Sequence, residues 1–259
     1  MATRAKANLP VNYQEQLAKE AAEISKRIAT PSGDRIRFNS NRSLITPDGG
    51  EGEELEVVVV DFVSSNLFYD GPFDRDNPQP PGCFAIGVEP SLLVPSPNSP
   101  NKQAETCSAC PNNQFGSAGK GKACKNTRLL AVMPVAMDGD EPPIWIMSVP
   151  PTSMKAFDAY VQTLASKHKT IPVGVVTRIT LDQGVQFAAP RFSVVRPLKA
   201  EEFETYMSRR EEANARLTVE PDVSQYAPPK SASAGRGQPM RRGVRWSTGS
   251  ELTGFDTTA

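Results

Sequence analysis

The apolar positions of this chain change period several times along its length. From Val11 to about Ala29, Leu17, Ala21, Ile24 and Ile28 recur at helical spacing with Glu and Lys between them, which predicts an amphipathic helix ended by Pro31-Ser-Gly-Asp. Two short β-like runs follow, Arg35–Phe38 and Ser43–Thr46, separated by Asn39-Ser-Asn-Arg. Leu55-Glu-Val-Val-Val-Val-Asp-Phe-Val is too short for a buried helix and too apolar for a surface strand, so a central strand is expected there. It leads into a cluster of aromatics, Phe68, Tyr69 and Phe73.

Residues 74–127 break the pattern, being rich in Pro, Gly, Asn and Ser. Strands resume with Arg128–Val135 and Ile144–Val149, and Pro150-Pro-Thr-Ser then opens a helix. Thr152 or Ser153 is its expected N-cap, with Met154, Phe157, Tyr160, Val161 and Leu164 facing inward. Val173–Leu181 and Val185–Val195 read as a hairpin turning at Asp182-Gln-Gly, and a charged helix is expected over about 200–217. After Val219 the composition is that of disorder.

Regular βα repeats are absent, which argues against a doubly wound sheet. The expected class is α+β, mainly β: an antiparallel barrel of oligonucleotide-binding (OB-fold) type, with flanking helices and a disordered C-terminal tail. The organisation is an N-terminal helical arm over 1–32, a core over 33–198 with an insertion at about 74–127, a helix over 199–219 and a tail over 220–259.

All four cysteines fall in or beside that insertion: Cys83, Cys107, Cys110 and Cys124. Cys107 and Cys110 have the Cys-x2-Cys spacing that gives a tetrahedral zinc ion two ligands from one turn, and the other two cysteines complete a set. A closed four-cysteine structural zinc site, a zinc-ribbon-like insertion, is therefore expected in preference to one completed by the single histidine, His168. Free buried thiols and two disulfides are the alternatives. Disulfides belong mainly to oxidising compartments, and the polar start Met1-Ala-Thr-Arg-Ala-Lys-Ala-Asn has no apolar signal core. Metal binding would also order a loop too long to order itself.

Formal net charge is zero, so affinity for nucleic acid must come from local clustering. Lys120, Lys122, Lys125 and Arg128 form one cluster in a stretch without acids, and Lys230, Arg236, Arg241, Arg242 and Arg245 form another in the tail. A solvated face is the plain alternative for each. Beside the first cluster, Phe68, Tyr69, Phe73 and Phe115, with Trp145 further on, are candidate stacking surfaces for bases, although core burial competes for every one of them.

An enzyme is the least supported class. Gly116-Ser-Ala-Gly-Lys-Gly-Lys-Ala nearly matches the phosphate-binding loop, but Ala123 stands where a magnesium-binding hydroxyl belongs and no buried strand precedes it. The His-x-Glu pair of a zinc deaminase is missing, and four cysteines would close a catalytic zinc.

The segments Pro80-Pro-Gly-Cys-Phe, Cys107-Ser-Ala-Cys-Pro-Asn-Asn-Gln-Phe-Gly-Ser, Gly119-Lys-Gly-Lys-Ala-Cys-Lys-Asn-Thr-Arg and Val149-Pro-Pro-Thr-Ser resemble a family of tailed-bacteriophage proteins assigned to single-stranded DNA binding. The resemblance covers roughly residues 10–200. More distantly, the chain is similar to the zinc-containing single-stranded DNA-binding proteins of large phages, which join an oligonucleotide-binding barrel to a zinc subdomain. The resemblance implies a protein that coats single-stranded DNA in replication or recombination, with replication or recombination proteins as partners, in the cytoplasm of an infected bacterium. The acidic tail of such proteins is not matched, because residues 230–259 carry five basic residues against Glu251 and Asp256. The alternative expectation is a zinc-ribbon adaptor that binds a replication or transcription enzyme.

Overall fold

A long central strand organises the molecule. In a computed structural model that describes residues 33–39, 42–135 and 142–228, β4 (Glu54–Phe68) pairs antiparallel with β6 (Lys125–Pro134) along most of its length. On its other side the first residues pair with β8 (Val175–Leu181) and the last with β5 (Cys83–Gly87). β7 (Trp145–Val149) flanks β6 and β9 (Pro190–Pro197) flanks β8, giving an antiparallel sheet in the order β7-β6-β4-β8-β9 with β5 beside β4. A register shift between Val59 and Asp61 marks a bulge, which lets so long a strand bend.

Four consecutive valines are buried because both faces of β4 are covered. Val57 and Val59 join an inner cluster with Leu130, Val132, Trp145 and Met147, while Val58 and Val60 join an outer one with Ala131, Met133 and Ile146. Helix α1 (Met154–Thr163) closes the inner cluster through Phe157 and Tyr160. Phe157 meets Phe62 and Phe192 edge-on, each with ring centroids 5.1 Å away, and Tyr160 Oη and Thr177 Oγ1 are 2.6 Å apart. Ser153 holds the N-cap position without its hydroxyl bonding the first turn, and its Oγ is buried with no partner. Helices α2 (Ala200–Ser208) and α3 (Arg210–Leu217) cover the outer cluster with Tyr206, Ala213 and Leu217.

Two short strands, β1 (Arg37–Phe38) and β2 (Leu44–Ile45), and β3 (Glu51–Gly52) make a second antiparallel sheet. Just before it, Ile36 N donates to Ile146 O at 2.9 Å and Ile146 N to Asp34 O at 2.8 Å, so the free edge of β7 receives one parallel bridge. Arg42 donates to the carbonyls of Gln183 and Val185 in the loop joining β8 to β9.

The α+β, mostly antiparallel class is present, with three α-helices among the described residues. The barrel is not closed, since β7 and β9 do not pair among those residues. The hairpin expected from Val185 is longer in its loop, β9 beginning at Pro190, because the carbonyls of Gln183 and Val185 are taken by Arg42 and leave the ladder. The single helix expected over 200–217 divides at Arg209, whose ψ of 2° departs from helical geometry. Composition assigns disorder from residue 220, yet residues 220–228 are tied to the insertion. Glu220 accepts from Ser96 Oγ at 2.6 Å and Asn98 Nδ2 at 2.7 Å, and Tyr226 Oη donates to Asp70 Oδ2 at 2.8 Å. The helix expected over 11–29 and the basic residues Lys230 to Arg245 lie outside the described residues. No helix among the described residues is long and apolar enough to cross a membrane.

Candidate metal centre and nucleic-acid surface

The insertion between β4 and β6 is ordered by its own hydrogen bonds and by β5. Cys83 begins β5 opposite Phe68, and Ser96 N donates to Phe84 O at 2.8 Å, fastening the following turn to that strand. Leu93 packs with Ala85 and Cys107 in a small buried cluster. After Cys110 the chain enters a 3-10 turn at Pro111–Asn113, where proline's fixed φ favours the first position. Cys124 N then donates to Asn112 O at 2.8 Å, bringing the last cysteine back to the knuckle. The return is made by a tight turn, with Gly116 and Gly119 at φ of 94° and 64°, a region glycine enters without penalty.

The outcome is that Cys83, Cys107, Cys110 and Cys124 all line one small cavity, together with Asn66 from β4 and Asn113. All four thiols are buried and free. Burial raises the Cys107 thiol above its ordinary range, opposed by a hydrogen bond from Asn66, with Cys83 and Cys110 adding to the rise. Burial likewise pushes Cys124 up to about 12, with Cys107, Cys110 and Cys83 adding and Lys122 opposing. Burial and the neighbouring thiols thus both act against deprotonation of Cys107 and Cys124. No three His, Cys, Asp or Glu side chains among the described residues are set at metal-ligand geometry. The donor set itself, four buried reduced sulfurs at one cavity, has the chemistry of a closed structural site. His168 is exposed beyond α1 and does not line the cavity.

Asn113 ties this centre to the surface. Its Nδ2 donates to Cys107 O at 2.7 Å, and its Oδ1 accepts from Asn126 Nδ2 at 2.9 Å and from Lys122 Nζ at 3.3 Å. Asn126 also donates to Asn66 Oδ1 at 2.7 Å, linking β6 to β4 beneath the cavity. The run Asn112-Asn-Gln after the knuckle was the only sequence signal for this hub, and asparagine runs in loops carry no distinctive spacing.

The candidate nucleic-acid residues separate into two groups. Lys122 Nζ stands 5.1 Å from the centroid of Phe115 and Lys125 Nζ 4.9 Å from that of Tyr69, two cation–aromatic pairs on one loop. Lys120 is exposed in the same turn. Phe115 and Phe73 are 84% and 81% exposed, the most exposed large apolar side chains among the described residues, and both are aromatic. Tyr69 is half-buried, which raises its phenol above the ordinary value. The other group is committed inside the fold. Phe68 lines the cysteine cavity, Trp145 is in the inner cluster, and Arg128 donates to Ser64 Oγ at 2.8 Å and lies 3.4 Å from Asp158. Phe187, half exposed in the β8–β9 loop, was not singled out by its sequence surroundings.

Comparison with family models, with curated proteins and with solved structures gives no match. The site must be read from its own geometry.

Proposed function

We propose that this chain binds single-stranded DNA without catalysis, coating strands in replication or recombination, and that its four cysteines hold a structural zinc ion. The observation that carries the reading is the strand order. Taking β4, β6, β7, β8 and β9 as first to fifth, the sheet runs third-second-first-fourth-fifth with a helix between the third and the fourth. This order supports a reading as a five-stranded, partly open barrel of the oligonucleotide-binding kind.

The cysteine insertion occupies the loop between the first and second strands, one of the two loops through which that fold binds oligonucleotides. The loop carries what sequence-tolerant strand binding requires: ammonium groups for phosphates at Lys120, Lys122 and Lys125, and exposed aromatic faces at Phe115 and Phe73, with Tyr69 under Lys125. Zinc at Cys83, Cys107, Cys110 and Cys124 would fix β5, the knuckle and the start of β6 to one point, and so hold these groups in register. The tailed-phage resemblance accords with this reading, and with a bacterial host's cytoplasm as its setting.

Titration of a labelled oligo-dT at two salt concentrations tests it. Binding that weakens with salt in proportion to the lysines engaged is expected, and salt-independent binding would remove the phosphate-contact account.

A further inference from the structure

Three asparagine amides form a branched chain of hydrogen bonds, and both branches end on Cys107. Asn66 and Asn126 stand opposite each other in the β4–β6 register. The two hydrogens of Asn126 Nδ2 serve Asn66 Oδ1 at 2.7 Å and Asn113 Oδ1 at 2.9 Å. With its oxygen occupied, Asn66 turns its own amide hydrogens toward the Cys107 thiol, to which it donates. Asn113, its oxygen likewise occupied, donates from Nδ2 to Cys107 O at 2.7 Å. One amide on β6 therefore sets the direction of two others, which hold the sulfur and the carbonyl of the same cysteine.

The sulfur branch is the informative one. Asn66 is buried, and a buried amide needs acceptors for its hydrogens. A neutral thiol is a weak acceptor, whereas a thiolate, the form that binds a metal, makes a charge-assisted bond of about twice the strength. Asn66 is thus placed where its hydrogen bond gains most when the sulfur is charged. Partners of this kind, one step out from the ligands, orient them and tune the site.

We propose that Asn66, Asn113 and Asn126 are positioning residues of the cysteine centre, with Asn126 directing the other two onto the sulfur and the carbonyl of Cys107. The assignment rests on the reading of the four cysteines as zinc ligands, and it adds Asn126, a residue that does not line their cavity.

The test is cobalt(II) titration of the reduced full chain against a competing chelator, for the native sequence, Asn66→Leu, Asn126→Ala and Thr127→Val. Thr127 is the next residue on β6 and lies outside the amide chain, its hydroxyl donating to Ser65 O at 3.4 Å. Circular dichroism reports whether each variant keeps its sheet. Cobalt affinity is expected to fall roughly 10- to 100-fold in both asparagine variants and to stay unchanged in Thr127→Val. The sulfur-to-cobalt absorption band should also shift in Asn66→Leu, because the sulfur loses its donor, a change that loosened packing alone does not produce. Asn126→Ala, at a half-buried position, decides the matter if the Asn66 variant does not fold. Cobalt uptake by the native chain with native affinity in the asparagine variants overturns this assignment and leaves the metal reading standing. Equal weakening in Thr127→Val overturns it as well, making the effect one of β6 packing. A native chain that takes up no cobalt overturns the metal reading itself, and the positioning role with it.

Discussion

Lys125 Nζ rests 4.9 Å from the centre of the Tyr69 ring, joining the first residue of β6 to the residue just after β4. Cys124 precedes the lysine and Phe68 precedes the tyrosine, and both of these line the cysteine cavity. Each member of this pair is thus one residue from a side chain that lines the cavity, so a change at the surface or in the cavity should be felt by the other.

The first consequence concerns bases. Phe115→Ala and Phe73→Ala remove exposed rings with no core to disturb, so folding should be unchanged while oligo-dT affinity falls. A stacked base contributes about 1–3 kcal/mol, so a loss of roughly 5- to 150-fold is expected for each ring that stacks. Fluorescence anisotropy reads the loss, and native affinity in both variants would remove these rings from the interface.

Phosphate contacts give a separate signature. Replacing Lys122 by Ala should lower the slope of log affinity against log salt by about 0.7 if its ammonium displaces one counterion from a single strand. Lys122 also donates to Asn113, so the same measurement on Lys120→Ala, whose side chain is exposed in the turn, separates charge from loop geometry.

For the metal, purified protein should contain one zinc per chain by elemental analysis, and Cys124→Ser should lose it. Chelation should expose the insertion to protease while the sheet, whose inner cluster includes none of the cysteines, keeps its circular dichroism. Protein free of zinc with an equally protected insertion would contradict the assignment.

Acid sensitivity follows from Glu202. Hydrogen bonds from Arg196 and from the Lys199 backbone N–H hold its carboxyl at about 2, below its ordinary value. A carboxyl lowered in the fold stabilises it above the unfolded value near 4.3, and that stabilisation disappears as pH falls toward about 2. The carboxyls of Asp182, Glu212 and Glu220 are lowered in the same direction by their own partners. Urea midpoints should therefore fall steadily between pH 5 and pH 2, and Glu202→Gln should flatten part of that fall.

The legible parts of the chain were those where a pattern has one physical meaning. Four valines in a row can be buried only if both faces of a strand are covered, and β4 is covered on both. The four cysteines were legible as a group because they fall in one stretch of the sequence, and in the structure all four line one cavity. What escaped were features fixed by distant partners. β5 lay hidden in a Pro- and Gly-rich segment because its partner, the second half of β4, lies before the loop. The strap at residues 220–228 is polar and Pro-bearing, and only Ser96, Asn98 and Asp70 across the fold reveal why it is ordered. Arg128, read as part of a basic surface, turns inward because Ser64 and Asp158 happen to face it.

The most direct test of strand binding is anisotropy with labelled oligo-dT and a duplex of equal length, on zinc-loaded protein and on Lys120→Ala/Lys122→Ala/Lys125→Ala. The account predicts salt-sensitive binding to the single strand, much weaker binding to duplex, and a clear loss in the variant. Equal affinity for both nucleic acids, or none for either, would contradict it and turn attention to a protein partner for the cysteine loop.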